Sequence, residues 1–375
     1  MMTEPKLTDL RPKLQTALDF AQVQVSQLIT AHPDYFPLYT EQGKWKHTGE
    51  AWTNWCEGFV GGMMWIFCRR TQDSLWRERA EHYSRLIEER KHDRNVHDLG
   101  FLFWSTYKRW YDLTGDSALN EVVITAGKTM GLRFKKGQYL RSFVADESSF
   151  IDIMMNVGIV FYAALQTGDE DLLLKAHQHC LTTRRYLVRG DGSTAHEGIF
   201  DLETGEFLRQ STHQGWRGDS AWARGQAWAL YGFGTAYCLT RDLRYLQTAR
   251  ACADFYLDHT SFEGESPGVP PNDWDAPRES VLLESSAAAI AASGLLNLAQ
   301  LVQDPLYAAR YRQAALIILD TLTGPEYLAH QTPGWEGILK HGSYHQAKGL
   351  GVDESVMWGE YFFVEALDKA LCLGK

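Results

Sequence analysis

The chain has 375 residues, with 47 acidic against 37 basic side chains and a formal charge of −10. A compact chain of this length buries roughly 75% of its unfolded surface, so its core needs no disulfide or metal staple. The 45% hydrophobic content excludes a largely disordered chain. The absence of an 18-residue apolar run argues against a membrane span, and the acidic balance against a general nucleic-acid binder.

The first residues, Met-Met-Thr-Glu-Pro-Lys-Leu-Thr, have neither the apolar stretch of a secretory signal nor the Arg-rich pattern of a transit peptide. The six cysteines form no C-x-x-C pair and mostly sit in apolar stretches. A reduced, cytoplasmic protein is expected.

A loose repeat then runs along the chain. Its clearest copies are Leu113-Thr-Gly-Asp116 and Gln166-Thr-Gly-Asp169, with weaker ones ending at Asp73, Asp242 and Asp304. Each Asp is placed to cap the helix that follows. The segments before the turns, 55–68, 100–111, 151–165, 222–239 and 286–298, are apolar nearly all round. Those after, such as 74–89 and 243–257, carry charge on one face. Helices of the first kind are buried and those of the second lie outside. Residues 356–371 resemble another inner helix and 7–29 another outer one. Six inner and six outer helices predict an all-α fold, an (α/α)6 barrel forming one domain over residues 1–375. An open superhelix is the alternative.

The repeat also acts as a ruler. Counting 18 residues back from the turn aspartates reaches Trp55, Asp98, Arg224 and Ser286, and 17 back from Asp169 reaches Asp152. At 1.5 Å per residue these lie about 26 Å from the turns, near the starts of the inner helices at one mouth of the barrel. Helix N-termini there favour an anionic ligand. Asp152 interrupts the apolar run Phe150-Ile-Asp-Ile-Met-Met, and burial would raise its pKa and suit it to donate a proton. Asp98 follows His97. Either acid could instead cap its helix.

The segment 211–228 is dense in polar and aromatic residues. Arg224 and Trp228, four apart, share a helix face that could clamp a carboxylate while a ring stacks on sugar. Alternatively the guanidinium packs over an indole. His97, His196, His213 and His345 fall in loops or helix starts nearby. His341 and His345 are separated by Gly342-Ser343, which argues for a loop and against a helical metal face. No metal or cofactor is expected. Residues 263–277 read as a rim loop without chemistry of their own.

The ordered motifs H-D-L-G-F (97–101), F-I-D (150–152), T-H-Q-G (212–215), W-A-R-G-Q-A-W (222–228) and H-G-S-Y-H (341–345) resemble the unsaturated glucuronyl hydrolases, glycoside hydrolase family 88. The resemblance runs from about Trp52 to Leu367. It implies an (α/α)6 barrel that removes the non-reducing-end 4,5-unsaturated uronic acid from lyase-generated oligosaccharides, by hydrating the vinyl ether double bond. It further implies Asp152 as general acid and then base, with Asp98 holding sugar hydroxyls and stabilising the cation. Trp55 and Trp228 would be stacking walls, Trp222 would line the rim, and Tyr344 would close the far side. His97, His196, His213 and Gln214 would bond sugar and water, and Arg224 the substrate carboxylate. Two departures stand out: Val96 replaces a second histidine of many members, and Phe143 stands in place of a site tryptophan. The segment after His345 lacks the Ser-rich pattern tied to sulfated substrates. The related unsaturated rhamnogalacturonyl hydrolases, or a non-catalytic carbohydrate-binding toroid, are the alternatives. Oligomeric state is not legible in the sequence.

Overall fold

The structure is a computed structural model and describes residues 7–46, 55–277, 279 and 281–374. Trp52, where the resemblance begins, lies outside the described residues. In chain order the helices are α1 (Leu7–Ala31), α2 (Glu57–Thr71), α3 (Ser74–Leu86), α4 (Leu99–Phe103), α5 (Tyr107–Thr114), α6 (Ser117–Gly131) and α7 (Ile153–Thr167). They continue as α8 (Glu170–Tyr186), α9 (Ala223–Thr240), α10 (Leu243–His259), α11 (Ser285–Leu301), α12 (Pro305–Leu322) and α13 (Met357–Cys372).

The ring closes. Helix α2 packs on α4, α4 on α7, α7 on α9, α9 on α11, α11 on α13, and α13 returns to α2. The other row packs outside it, with α1 against both α12 and α13. Closure follows from composition: α7, α9, α11 and α13 are buried on nearly every side, so each needs apolar neighbours all round. An open superhelix would leave one such helix uncovered.

The turns are as the repeat predicts. Asp73, Asp116, Asp169, Asp242 and Asp304 accept the backbone N–H of Leu75, Ala118, Leu172, Arg244 and Leu306 at 2.9–3.0 Å. The second inner helix differs from its expected continuous form and breaks into α4 and α5. The Ser105 and Thr106 hydroxyls bond back to the carbonyls of Phe101 and Leu102, competing with the helical ladder, and Thr106 leaves helical geometry.

Short strands, not expected from the sequence, occupy the opposite end from the turns. They are β1 (Thr40–Glu41), β2 (Lys44–Trp45), β3 (Phe134–Lys135), β4 (Tyr139–Leu140), β5 (Ser148–Phe150), β6 (Glu197–Phe200), β7 (Phe207–Ser211), β8 (Gly342–His345) and β9 (Leu350–Glu354). Strands β5, β6 and β7 form an antiparallel sheet, while β8 and β9 form a hairpin. Strands of two to five residues are too short to show a period of two in the sequence.

Inner helices approach one another through glycine. A Cβ on Gly232 of α9 would lie 2.4 Å from the Met154 carbonyl oxygen of α7, a backbone atom that cannot swing aside. Gly232→Leu should therefore destabilise the ring by roughly 2 kcal/mol or more, read as a lower urea midpoint with far-UV helicity retained at zero denaturant.

Candidate active site

Asp98 and Asp152 occupy the N-cap positions of α4 and α7, yet neither side chain caps its helix. This separates them from the five turn aspartates, all of which do. The Asp98 carboxyl is buried, and Asp152 is largely buried, with its Oδ2 shut off from solvent. Burial pushes the Asp98 carboxyl well above its usual range, and the neighbouring Asp152 charge adds to it. Burial likewise raises Asp152 from the ordinary 3.8 to about 6, against the opposing pull of Arg224.

Each acid faces a histidine of fixed tautomer. His97 Nδ1 accepts the Phe143 N–H at 3.0 Å, so a neutral ring carries its proton on Nε2, which stands 3.4 Å from Asp98 Oδ1. His196 Nδ1 accepts from the His213 N–H at 3.0 Å, which leaves the proton on Nε2, an atom 3.7 Å from Asp152 Oδ2. Burial holds both imidazoles well below their ordinary pKa, in the neutral form.

The three-stranded sheet makes this pairing. Phe150 of β5 lies opposite Glu197 of β6, and Glu197 opposite Ser211 of β7. The Ile151 N–H bonds the His196 carbonyl at 2.9 Å. Asp152, His196 and the 212–214 segment are thereby drawn to one place from separate parts of the chain. His213 Nε2 approaches Glu197 Oε1 at 3.3 Å. Burial opposes the Glu197 charge, but hydrogen bonds from His213 and Ser148 outweigh it and hold its carboxyl low.

Arg224, 1% exposed, starts α9. It donates to the Ser343 carbonyl at 2.5 Å, to the Tyr344 carbonyl at 3.0 Å and to Gln214 Oε1. Its guanidinium lies 4.4 Å from the Trp222 ring centre and 4.8 Å from that of Trp358. The expected clamp is thus already bonded to protein on three sides, and the indoles beside it are not that of Trp228. Trp228 points elsewhere, against Phe101 and Phe362. Trp222 is 1% exposed and lies 4.7 Å from the His196 ring, so it is an interior wall and not a rim residue. Trp55 stacks on Trp358 at 4.8 Å, and Phe143 on His97 at 5.2 Å. Tyr344 packs edge-on to Trp358.

Several partners escaped the sequence reading. Trp358 and Phe101 tie Trp55, Trp228 and Arg224 together, and Trp358 Nε1 donates to Ser286 Oγ at 2.9 Å. Trp358 sits at the start of α13, where the ruler has no turn Asp to count from. Asp273, within the segment read as chemically silent, accepts the Trp216 N–H and the Ser220 hydroxyl and anchors the loop that leads to Arg224.

Buried polar atoms without a partner gather here. Among the described residues they include Asp152 Oδ2, His196 Nε2, Trp228 Nε1, Ser343 Oγ and both nitrogens of His345. Such atoms are costly unless bonded, so this mouth suits a ligand dense in hydroxyl and carboxylate oxygens. No group of three or more His, Cys, Asp or Glu side chains among the described residues is placed to share a metal ion.

A family model described as Glycosyl Hydrolase Family 88 matches residues 28–261. The unsaturated glucuronyl hydrolase of Bacillus sp. (strain GL1) is 32% identical over 349 residues, 89% of this chain and 90% of that protein. That of Formosa agariphila is 32% identical over 329 residues, covering 84% and 80% respectively. The solved structure of an unsaturated glucuronyl hydrolase specific for heparin superposes with a TM-score of 0.88 at 28% identity, over 96% of this chain and 97% of that one.

Asp152 leaves a signature in stability. Below pH 3.8 folded and unfolded chains both hold the proton; as the pH rises through about 6, only the folded chain resists ionisation, and stability is lost. Asp152→Asn removes that penalty. Relative to the parent it should gain about 3 kcal/mol between about pH 4 and about pH 8, measured by urea unfolding.

Proposed function

This chain belongs to glycosyl hydrolase family 88, and we propose on that footing how its own residues carry the reaction. It is a glycoside hydrolase that removes an unsaturated uronic acid from oligosaccharides. The pairing of two largely buried, non-capping carboxyls with two neutral histidines is the observation that carries the residue assignment.

The 4,5-unsaturated uronic acid is a vinyl ether and accepts a proton at C4. Asp152, with its pKa near 6, gives that proton, and positive charge develops at C5, shared with the ring oxygen. The departing proton leaves Asp152 as an anion beside the charge it has just created. Asp98 and His97 hold the ring hydroxyls, and Asp98 adds to the stabilisation of the cation. Asp152 then takes a proton from water as it adds to C5, with His196 Nε2, unpartnered in the free protein, facing the same space. The resulting hemiketal opens and releases the aglycone. One side chain serves both steps because C4 and C5 are adjacent, so carboxyl separation says nothing here about retention or inversion.

Binding follows the same geometry. Trp55 offers its ring to the sugar and Trp228 its unpartnered Nε1–H, Phe143 extends the wall beside His97, and Tyr344 closes the far side. His213 and Gln214 bond hydroxyls and water at the entrance. Arg224 supplies the cationic field for the uronate carboxylate from a position fixed by its three protein bonds. Residues 1–375 work as one unit in this reading, and the six unpaired cysteines support a reduced cytoplasmic setting.

The test follows loss of the conjugated enoate's ultraviolet absorbance on unsaturated disaccharides from glycosaminoglycan, gellan, ulvan and pectin lyases. Loss is expected on at least one uronyl product; loss on the rhamnogalacturonyl product alone would move the chain to that relative's specificity, and no loss on any would end the hydration reading. Asp152→Asn should lower kcat roughly 100-fold or more. For the parent, kcat/KM should fall as the pH rises above about 6, because the proton donor is then ionised. A flat profile to pH 8 would reassign the acid.

A further inference from the structure

The lumen of the barrel has a second opening. Beyond the aromatic floor of the site just described, toward the C-terminal ends of α9, α11 and α13, lies a cavity of about 330 Å³. Phe59, Phe101 and Phe362 form the layer between the two spaces: they line this cavity and also contact Trp55 and Trp228 on the other side. Cys238, Leu239, Gln300 and Leu301 surround its outer end.

Charge inside this cavity is already matched. Glu365 accepts from Arg109, Tyr231, Ser293 and Lys369 at 2.6–2.9 Å, and Lys369 places its three N–H groups on Glu365, Tyr231 and Ser293. An ion would have to break that network to bind. The remaining wall is aromatic and aliphatic, with Thr235, Asn297 and Gln300 as its polar edge. A largely apolar cavity of this size with a few polar groups is the usual form of a small-molecule site.

Gly234 adds an independent sign. It stands inside α9, where glycine costs up to about 1 kcal/mol relative to alanine. Many inner-helix glycines are required by close packing, as Gly232 is. Gly234 is not, for a Cβ there would meet only Leu301 Cδ1, at 4.0 Å. The missing side chain keeps the cavity open and does nothing for the contact between helices.

We propose that this far end of the barrel is a second ligand site, taking a neutral monocyclic or bicyclic aromatic molecule whose ring lies on the Phe101–Phe362 floor and whose polar edge meets Asn297 and Gln300. It is separated from the sugar site by one layer of rings. Two measurements on the full chain test it. A crystal soaked with bromobenzene should show an anomalous bromine peak between Phe101 and Leu301, and the neutral fluorophore N-phenylnaphthylamine should bind saturably with one site per chain. Gly234→Phe fills the cavity and should abolish fluorophore binding while keeping parental turnover of the unsaturated disaccharide. If that variant does not fold, Leu301→Trp narrows the cavity from α11 and should do the same. No bromine peak there, fluorophore binding undiminished in the filled variant, or displacement of the fluorophore by an unsaturated disaccharide would each overturn the proposal.

Discussion

The buried guanidinium of Arg224 is the interaction on which the mouth of the barrel depends. A cation this far from water is expensive, and the structure offsets the cost with two backbone carbonyls, the Gln214 amide and two indole faces. Those partners come from the loop after β7, from β8, from the residue preceding α9, and from α13. One side chain therefore sets the relative positions of four segments. Glu284 completes the arrangement from α11. Its carboxylate takes the N–H groups of Ser286, Ala287 and Ser343, so the strand whose carbonyls hold Arg224 is itself held by an acid. Ser286 in turn orients the Trp358 indole that lies beside the guanidinium.

The same buried charge tunes the chemistry. Desolvation lifts the Asp152 carboxyl, and Arg224 pulls it part of the way back. Without the cation the acid would hold its own proton more tightly. Without burial its pKa would fall back toward the ordinary 3.8, and the proton would be lost in more acidic solution. The value near 6 is the balance of the two, a common device where a carboxylic acid must donate near neutrality.

Much of this was legible in the sequence because it rests on local rules. A turn Asp caps its helix whatever the rest of the chain does, so the hairpin repeat, and from it the ring and the common mouth, could be counted out residue by residue. Asp152 stood out because an acid inside an apolar run is rarely idle. What was hidden depends on contacts between distant segments. Ser343 and Tyr344 meet Arg224 across 119 and 120 residues, and nothing local marks a carbonyl as a ligand. Strands β5 to β7 are too short to announce themselves. Trp222 was expected at the rim from the family resemblance, but its ring lies inside, against the guanidinium two residues later. Trp358 had no downstream turn from which to be measured.

Closure of the ring also has a bearing on biosynthesis. The wall that stacks Trp55 on Trp358 joins α13 to the segment before α2, and α13 packs against both α1 and α2. Both acids, both histidines and the three-stranded sheet are translated well before that helix leaves the ribosome. A nascent chain thus carries these side chains without the surface that lets Arg224 settle, and such sequence-distant contacts are slow to form. Loss of the sixteen-residue helix α13 to a protease or a premature stop would leave Asp98 and Asp152 in the chain without the Trp358 wall beside Arg224.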